Sequence, residues 1–142
     1  MNKILLLLCA LVTVTLIPGR IMAHCQIPCG IFHDDLVFKT LEQNIETLQK
    51  ADQELRSSSL SHNQSVRWIL NKEDQSNQIA QTMLTYFLQQ RVKLDDPKRA
   101  EKLDLISKIA LQCAKVKQTT DAKEISMLGN EIQQLKGLSG IL

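Results

Sequence analysis

Apolar residues recur at spacings of three and four through most of the chain after residue 34, and each such run reads as one stripe of an amphipathic helix. In residues 34–56 the stripe is Leu36, Val37, Phe38, Leu41, Ile45, Leu48, Ala51 and Leu55. Asp34 and Asp35 stand at its start, where carboxylates complement the helix dipole and cap free backbone N–H groups. A polar connection, residues 57–63, leads to a longer stripe of Val66, Ile69, Leu70, Ile79, Ala80, Met83, Leu84, Phe87 and Leu88, interrupted by Glu73. Asp96-Pro97 supplies a cap and a first helical position for a third helix carrying Leu103, Ile106, Ile109, Ala110 and Ala114. Thr120 or Asp121 caps a fourth, which aligns Ile125, Leu128, Ile132 and Leu135 before Gly137 and Gly140 loosen its tail. Four segments of about 18 to 30 residues joined by short polar links predict an all-α, up-and-down four-helix bundle.

The chain opens on a different pattern. Lys3 precedes an uncharged apolar run, residues 4–17, which Pro18-Gly19-Arg20 breaks before Ile21-Met22-Ala23. A basic start, an apolar stretch of roughly 7 to 15 residues and a small residue at the cut have the order of a secretory signal. The run falls short of the roughly 20 residues of a spanning helix. Cys9 lies inside the run and follows Leu8, without the small residue that precedes a lipidated Cys. The expected organisation is therefore a cleaved leader, residues 1–23, and one mature domain, residues 24–142. The mature domain is expected to be exported, to a periplasm or outside the cell, with no stable membrane anchor.

Composition supports that outline. Aromatic residues at 4%, five Gly and three Pro are too few for a turn-rich β-sandwich or barrel. A pI of about 8.4 without a concentrated basic patch excludes nucleic acid as a partner. The formal net charge of +2 falls to balance when Lys3 and Arg20 leave with the leader. Cleavage also removes Cys9 from the four Cys, leaving Cys25, Cys29 and Cys113. An odd number in an exported protein cannot be a closed set of internal disulfides.

The mature chain begins His24-Cys25-Gln26-Ile27-Pro28-Cys29-Gly30-Ile31-Phe32. Two thiols separated by three residues, with Pro before the second and Gly after it, make a compact turn. Cleavage exposes the His24 amine, whose ordinary pKa of about 7.7 to 8.0 lets it lose a proton to a metal near neutral pH. That amine, the Cys25 backbone nitrogen and the Cys25 sulfur can form two fused chelate rings around one ion, and Cys29 can close the fourth corner. A planar set of two nitrogens and two thiolates suits Ni(II) or Cu(II), whereas zinc prefers a tetrahedral site. With the His24 imidazole in an axial position, the set suits a metal that changes oxidation state. From spacing alone an oxidised Cys25–Cys29 loop on a non-enzymatic bundle stands as an alternative, and so does a metal-binding bundle without activity.

His24-Cys25-x-x-Pro28-Cys29-Gly30 at a leader cleavage point closely resembles the metal hook of the nickel-containing superoxide dismutases. Arg67-Trp68, Lys72-Glu73 and Tyr86-Phe87 carry the resemblance into the second helix. The resemblance implies a four-helix bundle, superoxide as substrate, one nickel ion per subunit, and a homohexamer that shields the hooks. It further implies that His24 through its amine and imidazole, Cys25 through its amide and sulfur, and Cys29 through its sulfur are the nickel ligands and catalytic residues. Pro28 and Gly30 would shape the hook, and Phe32 and Arg67 would stand close to the metal. Two positions depart from the pattern. Phe32 replaces the usual Tyr, and Thr40 stands where some members place a carboxylate that orients the axial imidazole with help from an Arg. Glu42 is near that position but on another part of the helix, and Arg67 is the candidate Arg. His33 reads as a solvated loop residue, His62 as loop or cap, and Glu73 as an internal ion-pair partner. Cys113, among Ala110, Leu111 and Ala114, reads as a buried inert thiol.

Overall fold

The computed structural model describes residues 35–140. Residues 1–34, with the expected leader and hook, and residues 141–142 lie outside the described residues. Helix α1 is Leu36–Leu55, α2 is His62–Thr82, α3 is Arg99–Gln118 and α4 is Ala122–Ser139. Helix α2 continues without a break into a π-helical segment, Met83–Arg91. No strand occurs among the described residues. Each helix packs on its two neighbours in chain order, and α4 closes back on α1. The result is the all-α bundle that the stripes predict.

Helix starts follow from local capping, with three departures from expectation. Ser61 Oγ accepts the Gln64 N–H at 3.4 Å, so Ser61 is the cap of α2 and His62 is already helical. The Asp121 carboxylate accepts the Lys123 N–H at 2.9 Å and starts α4. Asp96 Oδ1 accepts the Lys98 N–H at 2.8 Å while Oδ2 holds Lys102 Nζ at 2.6 Å, and α3 begins at Arg99 rather than Pro97. Asp35 makes no side-chain cap; its carboxylate pairs instead with Lys39 at 3.3 Å. Helix α4 runs through Gly137 and stops at Gly140, whose φ of 63° is the left-handed conformation that glycine adopts without a Cβ clash.

The core contains Val37, Phe38, Leu41, Leu48 and Ala51 from α1 and Ile125, Leu128, Ile132 and Leu135 from α4, as expected, whereas Leu36 is exposed. In α3 the buried face is Leu105, Ile106, Ile109, Cys113 and Val116, while Ala110 and Ala114 face solvent. Burying the larger side chains removes more apolar surface from water. Helix α2 differs most. Lys72, Ser76, Ile79, Met83, Tyr86 and Phe87 point inward, and Val66, Ile69, Leu70, Leu84 and Leu88 are exposed.

Two physical causes account for that difference. Lys72 Nζ donates to the Thr119 carbonyl, just past the end of α3, so the turns of α2 before Lys72 extend beyond the helices that would cover them. At the other end the helix widens. In a π-helix each N–H bonds five residues back, and the Val92 N–H closes the last such turn on the Phe87 carbonyl at 2.9 Å. The wider turn rotates less per residue than the roughly 100° of an α-helix. The adjacent Tyr86 and Phe87 therefore both enter the core, each 1% exposed, and their rings meet edge to face at 4.9 Å. Phe38 packs on Phe87 at 5.4 Å.

This register is testable by truncation. Phe87→Ala should lower the unfolding free energy by about 3 to 5 kcal/mol, while Leu88→Ala should change it by less than about 1 kcal/mol. Chemical denaturation followed by circular dichroism measures both, and equal losses would put Leu88 in the core and contradict the π-helical register.

Candidate metal centre

The proposed ligand-bearing residues 24–29, with Pro28, Gly30 and Phe32, lie outside the described residues, as does His33. What the structure supplies is the end of the bundle at which Asp35 begins. Cys29 precedes Asp35 by six residues, so the two Cα atoms lie within roughly 21 Å of each other. At that end the Lys136 ammonium sits 5.8 Å from the Phe38 ring centre, and Arg91 stands 5.9 Å from that of Tyr86. A cavity of about 300 Å³ opens nearby between the π-helical segment, the following loop, α3 and the end of α4, lined in part by Phe87, Arg91, Lys93, Lys102 and Leu135.

The helix-borne candidates divide by position. Thr40 is exposed on α1 and brings no carboxylate. Glu42 is committed to α4: its Oε1 accepts from Lys136 Nζ at 3.0 Å and from Gln133 at 3.1 Å. The Lys136 hydrogen bond and then the Gln133 hydrogen bond hold the Glu42 carboxyl below its ordinary pKa. Arg67 is exposed and stands twenty residues before Phe87, about 30 Å away along the α2 axis. The fold thus separates Arg67 from the end of its own subunit at which residue 35 begins. Glu73 Oε2 lies 3.8 Å from Lys117 Nζ, a half-exposed pair across the α2–α3 seam.

Lys72 is the residue whose structural use the apolar pattern concealed. It is 4% exposed, and its ammonium holds the Thr119 carbonyl at the end of α3. Burial lowers its pKa from the ordinary lysine value, while the carboxylates of Asp52 and Glu73 act in the opposite direction. Cys113 is buried in the core. Burial pushes its thiol up to about 12, with the nearby Lys117 charge pulling weakly the other way. Among the described residues no group of three or more His, Cys, Asp or Glu stands together in a way that could hold a metal ion. No helix among them is long and apolar enough to cross a membrane.

The family model of the nickel-containing superoxide dismutases matches residues 19–138. The chain belongs to that family. No curated protein and no solved structure matches it. The protein is accordingly a nickel-dependent superoxide dismutase, an oxidoreductase that converts superoxide to O2 and hydrogen peroxide. The matched stretch spans the whole bundle together with residues 24–32. The backbone amide, imidazole and thiol groups present in residues 24–29 have the chemistry that nickel takes.

Cys113 provides a check on which thiols carry the chemistry. In the native protein its alkylation should stay negligible up to pH 9, because the reactive thiolate forms only near pH 12, whereas an ordinary thiol ionises at about 8.5. Mass-resolved alkylation with and without denaturant measures this. Cys113→Ala should leave nickel stoichiometry unchanged, and loss of nickel from a folded variant would make Cys113 a ligand.

Proposed function

We propose that a leader ending at Ala23 is removed and that the new N-terminus forms the nickel site. In this reading the His24 amine and imidazole, the Cys25 amide nitrogen and sulfur, and the Cys29 sulfur are the donors. Pro28 and Gly30 set the turn that brings the two sulfurs to one ion. The observation that carries the proposal is the run His24-Cys25-x-x-Pro28-Cys29-Gly30 directly after Ala23, inside the stretch that the family model matches. Bound nickel supplies one-electron redox chemistry between its divalent and trivalent states.

The protein's own groups have three tasks. The first is to bind and tune: two thiolates and a deprotonated amide donate charge strongly and lower a potential that is otherwise too positive for water. The second is to admit a small anion, for which backbone N–H groups of the hook are suitable donors. The third is proton supply. One superoxide gives up an electron and leaves as O2, and a second takes up an electron and two protons to leave as hydrogen peroxide. The protons come from solvent or from groups near the hook. Phe32 offers no hydroxyl for this task. Export to a periplasm or to the medium follows from leader cleavage, and the exposed apolar residues of α2 fit a homo-oligomer, a hexamer by family pattern.

The ligand assignment predicts a specific chain start. Intact mass of the mature protein should correspond to residues 24–142 with free thiols after metal removal. A start elsewhere, or a Cys25–Cys29 disulfide in freshly isolated metal-replete protein, would overturn it. Cys25→Ser or Cys29→Ser, or one extra residue placed before His24, should abolish both nickel retention and superoxide decay while leaving the helical circular dichroism intact.

Position 32 predicts a separable effect. Phe32→Tyr should raise turnover severalfold at unchanged nickel content, read by pulse radiolysis of superoxide decay and metal analysis on the same sample. Unchanged turnover would show that the missing hydroxyl has no part in the rate.

A further inference from the structure

We infer that the exposed first turns of α2 pair with the same segment of a second copy of this chain, the two helices antiparallel about a two-fold axis near Leu70. The inference rests on the homo-oligomer reading above and names the face that makes the contact. Because Lys72 already reaches the Thr119 carbonyl beyond α3, residues 62–71 project past α3 and α4 by about 15 Å. This overhang is poor in charge, with Arg67 its one Lys, Arg, Asp or Glu. It is also apolar: Val66, Ile69 and Leu70 are 42%, 49% and 62% exposed. A depression of about 360 Å³ lined by Gln64, Arg67, Trp68, Leu70 and Asn71 follows the same turns. An apolar helix end left open to water is the signature of an association surface.

The described C-terminal end of the chain does not reach this face. The end of α4 lies at the Asp35 end of the bundle, where Lys136 meets Phe38. Helix α1 alone separates that end from the overhang by about 30 Å.

Charge placement selects a second copy as the occupant and fixes its direction. Val66, Leu70 and Asp74 follow one another at intervals of four along one face of α2, with Arg67 beside them. Asp74 is exposed and meets only the amides of Gln78, at 2.8 Å, and Gln75, at 3.4 Å. Arg67 is exposed too. Neither residue has an ion-pair partner among the described residues. An antiparallel pairing about a point just past Leu70 puts Arg67 level with Asp74 of the partner subunit, and the two-fold axis makes that pair twice. Leu70 then packs between the two ion pairs, with Val66 flanking them.

Sedimentation velocity and light scattering of the purified mature protein test the face. Leu70→Glu should weaken self-association by at least about 100-fold, as burial of a charge at the centre of a contact does. Arg67→Glu should weaken it about tenfold, and Arg67→Glu combined with Asp74→Arg should return it to within about threefold of the original. Leu94→Glu, on a residue 89% exposed at the other end of the bundle, should leave the mass unchanged. All four are surface changes, and circular dichroism verifies that each variant folds. An oligomeric parent whose Leu70→Glu variant keeps its mass overturns this face while leaving the oligomer reading in place. A monomeric parent overturns both, and the overhang then serves a different partner. Failure of the charge swap to recover association overturns the antiparallel pairing.

Discussion

The fold depends on one aromatic junction. Phe87 lies between Phe38, at 5.4 Å, and Tyr86, at 4.9 Å, and so joins the start of α1 to the end of α2. Lys136 closes the same junction from α4 by resting its ammonium near the Phe38 ring while its charge is held by Glu42 at 3.0 Å. Two adjacent large rings enter the core more readily where the backbone turns more slowly than in an α-helix, which the π-helical segment provides. A π-helix of nine residues has weaker intrinsic support than an α-helix. Ring packing and the apolar area it removes from water offset that deficit. The described chain begins at Asp35, three residues before Phe38, so this junction fixes the first turn of α1.

The opposite end is organised by a polar contact. A buried ammonium is unfavourable unless it is satisfied, and the last carbonyls of a helix lack internal partners. Lys72 and Thr119 answer both needs at once. Asp52, itself buried and paired with Arg56 at 2.7 Å, adds attraction from α1. The contact sets how far α3 climbs along α2. Everything on α2 above it is left without cover from α3 or α4, which is why apolar residues there are exposed although the stripe they belong to is buried lower down.

Fold class was legible in the sequence because spacing of three and four survives in all four helices, and because Asp121 caps α4 as a short polar side chain does. The faces of α1 and α4 were legible for the same reason. The face of α2 was not, since spacing assumes one helical period throughout and a neighbour at every level. The π-helical segment breaks the first assumption at Leu84 and Leu88. The early stop of α3 breaks the second at Val66, Ile69 and Leu70. Lys72 was unreadable as a core residue because its burial depends on a carbonyl 47 residues away. The metal chemistry lies at the other extreme. As proposed, it is concentrated in six consecutive residues whose candidate donors are a chain start, a backbone amide, an imidazole and two thiols, an order that can be recognised with no help from tertiary structure.

That concentration places a demand on the bundle which Cys113 shows it meets. The reaction releases hydrogen peroxide, and peroxide attacks thiolates rather than thiols. Metal binding and disulfide exchange draw on the thiolate as well. A third ordinary thiol in the mature chain would compete for nickel, exchange with Cys25 or Cys29 before metal arrives, and oxidise during turnover. Burial raises the Cys113 thiol to about 12 and leaves the sulfur 1% exposed at residue level, so at neutral pH all three reactions lack their reactant. With nickel held by residues 24–29 as proposed, the bundle contributes to catalysis without touching the metal, because it keeps the Cys113 thiol out of the chemistry.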